Sequence, residues 1–536
     1  MHLDPTVFGA IDNAVKRQMD LDQIPGLALA VTSRNGLVYQ QSYGLASLES
    51  GERVRPDHLF EYGSIGKSFT CILLLQLAAE RRVAVDRPIA DYLPWFEVQS
   101  EFEPITLHHL MTHSAGIIRG TDFPADPRYE VWALRDTRAV TPPGERFHYS
   151  NVGYKALGLV LERVTGKSYG TLVRERILGP LGMNDTEPEI THDTRKRLPT
   201  GYSYFYDDRP WQRSHGHAPA TWFETNSADG CIAGTATDLA TYLRMLMNGG
   251  AAQGVRVLEE ESLDSLAAPH IIPGGPDNGA YGYGLHTFTR NGRRFLGHGG
   301  GMVGYASQMV ADLSTGYGLV TMINGPGRQG PIVDFVMEAL HAVSQGEPLP
   351  ELPPAGPPSI DEPGQYSGAY ESDSGRIEVT IGNDVLRLGW NGETIPLEPR
   401  DGDSFLARHP DFELFLLKFH RDDDERIASV TNGERVWHAA GQQPARAETP
   451  EAWRSLPGHY RSHNPWGTNF RVILRNGWLF IVHPGGHEEP LSPLGNGAFR
   501  IGVEDSPEFV RFDTIVDGEA WRAHVSGCDY YRFFTP

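Results

Sequence analysis

Ser64 and Lys67, in the stretch EYGSIGKSFT, are the first pair in this chain whose types and spacing suit covalent chemistry. Residues three apart in a helix share one face, so hydroxyl and amine would meet in its first turn. A serine hydroxyl is a weak nucleophile until a base takes its proton, and a desolvated, neutral lysine is such a base. The free amides at a helix start would add a positive end suited to an oxyanion. The same letters also read as Gly66-Lys67-Ser68, the close of a phosphate loop. That loop needs a glycine where Glu61 stands, and a carboxylate there would oppose a phosphate, so the phosphate reading fails. A nucleophile elbow is excluded too, because Tyr62 occupies the position of its first glycine.

Two distant segments supply partners. Tyr149-Ser150-Asn151 lies between a Pro-Gly turn and a helix, and His298-Gly299-Gly300-Gly301 leads into a strand. A tyrosine titrates near 10 unless cations lie beside it; Lys67 and His298 would provide that field. His215 and His217 have no cysteine or acid at a zinc spacing and read as loop histidines, so neither metal nor cofactor is expected.

The elements that must hold these groups are legible in outline. An amphipathic helix from Pro5 to about Met19 precedes two strands, GLALAVTS and LVYQQSYG, joined at Asn35-Gly36. A second pair, YASQMVAD and GLVTMING, turns at Ser314-Thr315-Gly316. SIGKSFTCILLLQLAAERR reads as a buried helix starting at or near Ser64, and ATDLATYLRMLMNGG as a helix closed by glycine. Strands from both ends of residues 1–345 would share one antiparallel sheet with helices packed on it, an α/β (α+β) domain. GEPLPELPPAGPPSIDEPG follows, too proline-rich for helix or central strand, and residues 346–363 read as a semi-rigid linker.

Beyond it the chain repeats itself. SGAYES is echoed by PGHYRS, IEVTIGNDVLRLG by FRVILRNGWLFIV, and IPLEPRDGDSFL by EPLSPLGNGAFR. Two small antiparallel, lipocalin-like β-barrels are expected, at 364–442 and 453–536, with a linker at 443–452.

The order Ser-x-x-Lys, Tyr-x-Asn, His-x-Gly resembles the serine β-lactamase and penicillin-recognising superfamily, nearest its class C-like branch, across about Pro5 to Ser344. ITLHHLMTHSAGI, PLGMNDT, YGYGLHTF and GLVTMING are similar to its supporting phrases. The resemblance implies Ser64 as the acylated nucleophile and Lys67 as its proton acceptor. It implies Tyr149 as the acid/base that protonates the leaving group and later activates water, with Asn151 holding Lys67 and the substrate's amide oxygen. His298 would replace the family's third-motif cation, binding a substrate carboxylate or supporting Tyr149. Gly299, Gly300 and Gly301 would line the substrate, the N–H groups of Ser64 and Gly301 forming the oxyanion hole.

Within that family the His-Gly-Gly triplet counts against a dedicated β-lactamase, and two C-terminal barrels resemble the D-aminopeptidase branch, where a loop of the last barrel enters the cleft. The matching hairpin is HPGGHEEP, longer than WNGET in the first barrel. His483, His487, Glu488 and Glu489 are thus candidate cleft residues, with Glu488 or Glu489 near a substrate amine. The leading expectation is a serine hydrolase cleaving amide or peptide bonds of small substrates, D-amino-acid-containing ones among them. Its alternatives are a carboxylesterase, lactonase or weak β-lactamase, and, outside catalysis, a degenerate binding protein.

Composition narrows the partners. The 536 residues carry 68 acidic and 47 basic side chains, a formal charge of -21. Such a surface repels nucleic acid and anionic membranes, leaving a small molecule or short peptide as the expected partner. No apolar run is long enough to span a bilayer, and MHLDPTVFGAIDNAVKRQMD lacks the layout of a signal peptide, so a cytoplasmic location is expected. A homo-oligomer is compatible with the sequence. Cys71, Cys231 and Cys528 are too scattered for a disulfide framework.

Overall fold

The computed structural model describes residues 5–122, 126–274, 279–352, 360, 362–373, 375–382, 385–442 and 448–534. Parts of both expected linkers, 353–359, 361 and 443–447, lie outside the described residues. The chain divides into two units. One runs to Ser203 and resumes at His217; the other holds Tyr204–Gly216 and everything after the proline-rich stretch.

In the first unit seven strands form one antiparallel sheet. Their order is Ala280–Tyr281, His286–Arg290, Arg293–Met302, Tyr305–Asp312, Tyr317–Ile323, Gly26–Ser33, Gly36–Gly44. Its centre joins the two ends of the domain, with Leu27 opposite Ile323 and Ser33 opposite Tyr317. Both strands are buried almost throughout, as strands covered on both faces must be. The helices Pro5–Asp22 and Gly330–Gln345 cover one face through Val7, Ile11, Phe335 and Leu340. On the other face lies a larger core built around the helix Gly66–Ala79, which is buried along most of its length.

The first hairpin turns on Arg34 and Asn35, with Gly36 already paired to Ser33, one residue earlier than the Asn-Gly signal suggests. A bulge opposite Val31 and Thr32 absorbs the extra residue, Val38. The second hairpin turns where expected, with Gly316 at a φ of 76°.

The second unit contains two closed eight-stranded antiparallel barrels, from Gly368–Ser372 to Arg435–Ala439 and from Gly458–Arg461 to Cys528–Phe533. First and last strands close each one, Tyr370 pairing with Ala439 and Tyr460 with Arg532. The repeat has a physical signature. Tyr370 Oη donates to the Tyr366 carbonyl at 2.8 Å, and Tyr460 Oη to the Leu456 carbonyl at 2.7 Å. Phe405, Phe419 and Trp437 fill the first interior, and Phe470, Leu479 and Phe512 the second.

Sequence reading assigns Tyr204–Gly216 to the catalytic domain; the structure places it against both barrels. Its charges explain the transfer. The Asp207 carboxylate accepts from Arg461 and from Thr468 Oγ1 at 2.8 Å, and its carbonyl from Asn469 at 2.7 Å. Arg471 reaches Asp208 at 3.4 Å. On the first barrel, Arg209 pairs with Glu413, and Arg400 donates to the Trp211 carbonyl at 2.9 Å.

Candidate active site

Ser64 occupies a single 3₁₀ turn, Gly63–Ile65, wedged between the short strand Phe60–Glu61 and the helix Gly66–Ala79. Lys67 is fully buried, and its Nζ donates to Ser64 Oγ at 3.1 Å and to the Asp229 carbonyl at 2.7 Å. The neighbouring small residues serve packing. Ser68 Oγ donates to the Ile65 carbonyl at 2.9 Å and meets Tyr242 Oη at 2.7 Å, while Gly66 lies against Gly230.

Backbone contact brings the third motif to this turn. A Cβ on Gly63, whose φ is 55°, would lie 2.7 Å from Gly301 N; one on Gly300 would lie 1.9 Å from the Tyr62 carbonyl oxygen. Only glycine permits that approach. Ser307, opposite Gly300 in the sheet, donates to the same Tyr62 carbonyl at 2.7 Å and fixes the strand on the turn. A Cβ on Gly301 itself would meet open space.

Tyr149 is partly exposed, and Lys67 Nζ lies 4.9 Å from its ring centre. Ser64, Lys67, Tyr149 and the His298 strand therefore converge. The finer expectations for two residues are corrected. Asn151 does not hold Lys67. Its amide donates to Asp122 at 2.8 Å, and its Oδ1 is buried with no hydrogen-bond partner among the described residues. The cause is a buried charge cluster, in which Lys155, one turn along the helix Asn151–Thr165, pairs with Asp122 and Glu130 and draws Asp122 over Asn151.

His298 is not a cation. Burial, foremost, and the neighbouring His286 push its imidazole down to about 3. Its Nδ1 faces the Gly299 carbonyl, which only accepts, so Nδ1 carries the proton. Nε2 is then left to accept from Tyr281 Oη at 3.0 Å. Both nitrogens are occupied in the neutral ring. Glu61 is likewise uncharged near neutrality, since burial lifts its carboxyl to about 8.

Sequence reasoning missed Asp229, Tyr281 and His113. Asp229 acts through a backbone carbonyl, which no side-chain motif announces; Tyr281 sits in the YGYGLHTF phrase. His113, within LMTHSAG, stacks on Tyr149 with ring centres 4.1 Å apart.

In the second unit, Glu488 is not the free carboxylate the sequence suggests. It receives Arg475 at 2.9 Å and faces Lys418 of the first barrel at 3.7 Å. Burial would raise its carboxyl, but Arg475 and Lys418 outweigh that and hold it below the usual range. Glu489 faces His487 at 3.4 Å, and the His483 and His487 rings stack. Gly486 turns at a φ of 90° where a Cβ would strike Leu416 of the first barrel.

Comparison with known proteins agrees with this geometry. The Beta-lactamase family matches residues 11–342. Penicillin-binding protein 4 of Amycolatopsis lactamdurans is 29% identical over 374 residues, covering 66% of this chain and 94% of that protein. Among solved structures, the octameric penicillin-binding protein homologue from Pyrococcus abyssi has a TM-score of 0.60 at 24% identity, covering 80% of this chain and 99% of that one. D-amino acid amidase from Ochrobactrum anthropi SV3, complexed with L-phenylalanine, has a TM-score of 0.52 at 26% identity, covering 62% and 98%. With its motifs converging on one turn and the family spanning most of the first unit, the chain belongs to the beta-lactamase family.

Proposed function

We propose that this family member is a serine hydrolase that forms an acyl-enzyme on Ser64 and cleaves amide or peptide bonds of small substrates, D-amino acid amides in particular. The observation that carries the reading is the 3.1 Å contact between Lys67 Nζ and Ser64 Oγ, made by a buried amine beside Tyr149. Ser64 Oγ attacks the carbonyl carbon as Lys67 takes its proton. The developing oxyanion lies between the amides of Ser64 and Gly301. The tetrahedral adduct collapses as Tyr149 protonates the departing amine; water, relieved of a proton by Tyr149, then attacks the acyl-enzyme, and Lys67 returns its proton to Ser64 Oγ as the acid leaves.

Neutral His298 supports amides over β-lactams. Where a dedicated β-lactamase places a lysine for the drug's carboxylate, this chain has an uncharged ring with both nitrogens engaged. The likeness to the Ochrobactrum anthropi amidase supports the same class. A screen of D- and L-amino acid amides, p-nitrophenyl esters and a chromogenic cephalosporin tests the reading. D-amino acid amides are expected to be turned over fastest, and Ser64→Ala to abolish turnover and fluorophosphonate labelling. A wild-type protein that forms no acyl-enzyme with any of them refutes it.

A further inference from the structure

His113 holds three consecutive residues around the proposed acid/base. Its carbonyl accepts from His148 N–H at 2.7 Å, its Nδ1 accepts from Ser150 N–H at 2.9 Å, and its ring stacks on Tyr149 at 30°. To face that segment with both carbonyl and imidazole, His113 takes a φ of 57°, the left-handed region that costs a non-glycine residue free energy. The conformation is buried and closely surrounded, with 1% of the residue exposed. Strain of this kind persists where the surroundings over-determine it.

We infer that His113 is a positioning residue for Tyr149, clamping the backbone on either side of it so that the phenol stays fixed relative to Lys67 and Ser64. The inference rests on the reading of Tyr149 as acid/base. It assigns His113 no proton transfer. Nδ1 accepts a backbone N–H, so the proton resides on Nε2, which is buried without a hydrogen-bond partner among the described residues. Burial above all holds the ring neutral. The titratable and charged groups around the pair are Lys67 from the Ser64 helix, Tyr154 from the Asn151 helix, Arg119 and His148 from the loops, and Tyr281, His286 and His298 from the sheet. Displacing the phenol within this field would change its proton affinity as well as its reach.

The test compares His113→Asn, His113→Gly and His113→Leu with wild type and Ser64→Ala. It uses fluorophosphonate labelling and p-nitrophenyl acetate hydrolysis from pH 5 to 10, with melting temperatures measured alongside. Asparagine tolerates positive φ and can present Oδ1 where Nδ1 accepts. It should retain most of the rate. Glycine keeps the backbone angle without the acceptor and leucine loses both. Each should lower kcat ~10²-fold with little change in KM and a displaced pH–rate profile. Folded glycine and leucine variants with wild-type rate and profile overturn the inference, as does an asparagine variant no faster than glycine. In wild type, ¹⁵N-histidine NMR should show an unprotonated His113 Nδ1 from pH 5 to 9. A protonated Nδ1 overturns the clamp whatever the variants do. Failure of wild type to label at Ser64 would instead refute the serine-hydrolase reading, and the NMR result would stand apart from it.

Discussion

A buried carboxyl three residues before Ser64 ties the stability of the nucleophile's turn to pH. Glu61 sits in the strand Phe60–Glu61, almost wholly enclosed, and burial raises it from 4.5 to about 8. Between those values the folded chain keeps a proton that the unfolded chain has lost. Its contribution to stability is therefore greatest at or below the unfolded value and falls as pH rises through the window, by about 1.4 kcal/mol per unit. Glu61→Gln keeps the shape and removes the titration. Urea midpoints at pH 5, 6.5 and 8 should decline more steeply for wild type than for the variant; parallel declines would mean that Glu61 is ionised in the fold. Glu61 excludes a phosphate loop at the sequence level, and the structure adds that the acid is kept neutral by its surroundings.

At the level of elements, the site depends on a strand pressed against a turn. Gly300→Ala places a methyl 1.9 Å from the Tyr62 carbonyl, a backbone atom that cannot swing aside. The strand Arg293–Met302 would retreat and carry Gly301 N–H away from Ser64. A loss of ~10²-fold in kcat is expected, with about 1–3 kcal/mol lost in stability. Gly36→Ala, in open space on the strand Gly36–Gly44, serves as the control and should match wild type in both assays. Equal behaviour of the two variants would contradict the packing argument.

These contacts also show what a sequence can disclose. Ser64, Lys67, Tyr149 and His298 were legible because their side chains recur as ordered types, and the two barrels because alternation and turns repeat. Asp229 contributes a carbonyl that any residue owns, and His113 a backbone angle that no letter encodes. The Asn151 role was misjudged because Asp122, its actual partner, lies 29 residues upstream in a loop without periodicity.

At the scale of the molecule, charge pairing joins what the repeat wrote twice. Arg475, 7% exposed at its side chain, and Lys418 of the first barrel converge on Glu488. Glu488→Gln leaves that buried guanidinium uncompensated, and ~3–5 kcal/mol of barrel stability should be lost. Hydrogen exchange should quicken in Trp478–Val482 and Leu417–Arg421 together; an effect confined to one barrel would show that the pair does not couple them. Of the two acidic side chains of HPGGHEEP, Glu488 is thus committed to the barrels, which leaves Glu489 as the other.

The docking of Tyr204–Gly216 on both barrels has a consequence for biosynthesis. Arg209 leaves the ribosome 204 residues before Glu413, and Asp208 leaves 263 residues before Arg471. At ~5–20 residues per second the segment waits roughly 10 to 50 s for its partners. Through that interval Trp211, half-buried in the finished fold, has no barrel beside it. The barrels in turn are finished by a stretch made long before them, and that segment is a natural point for chaperone capture while the chain is still being made.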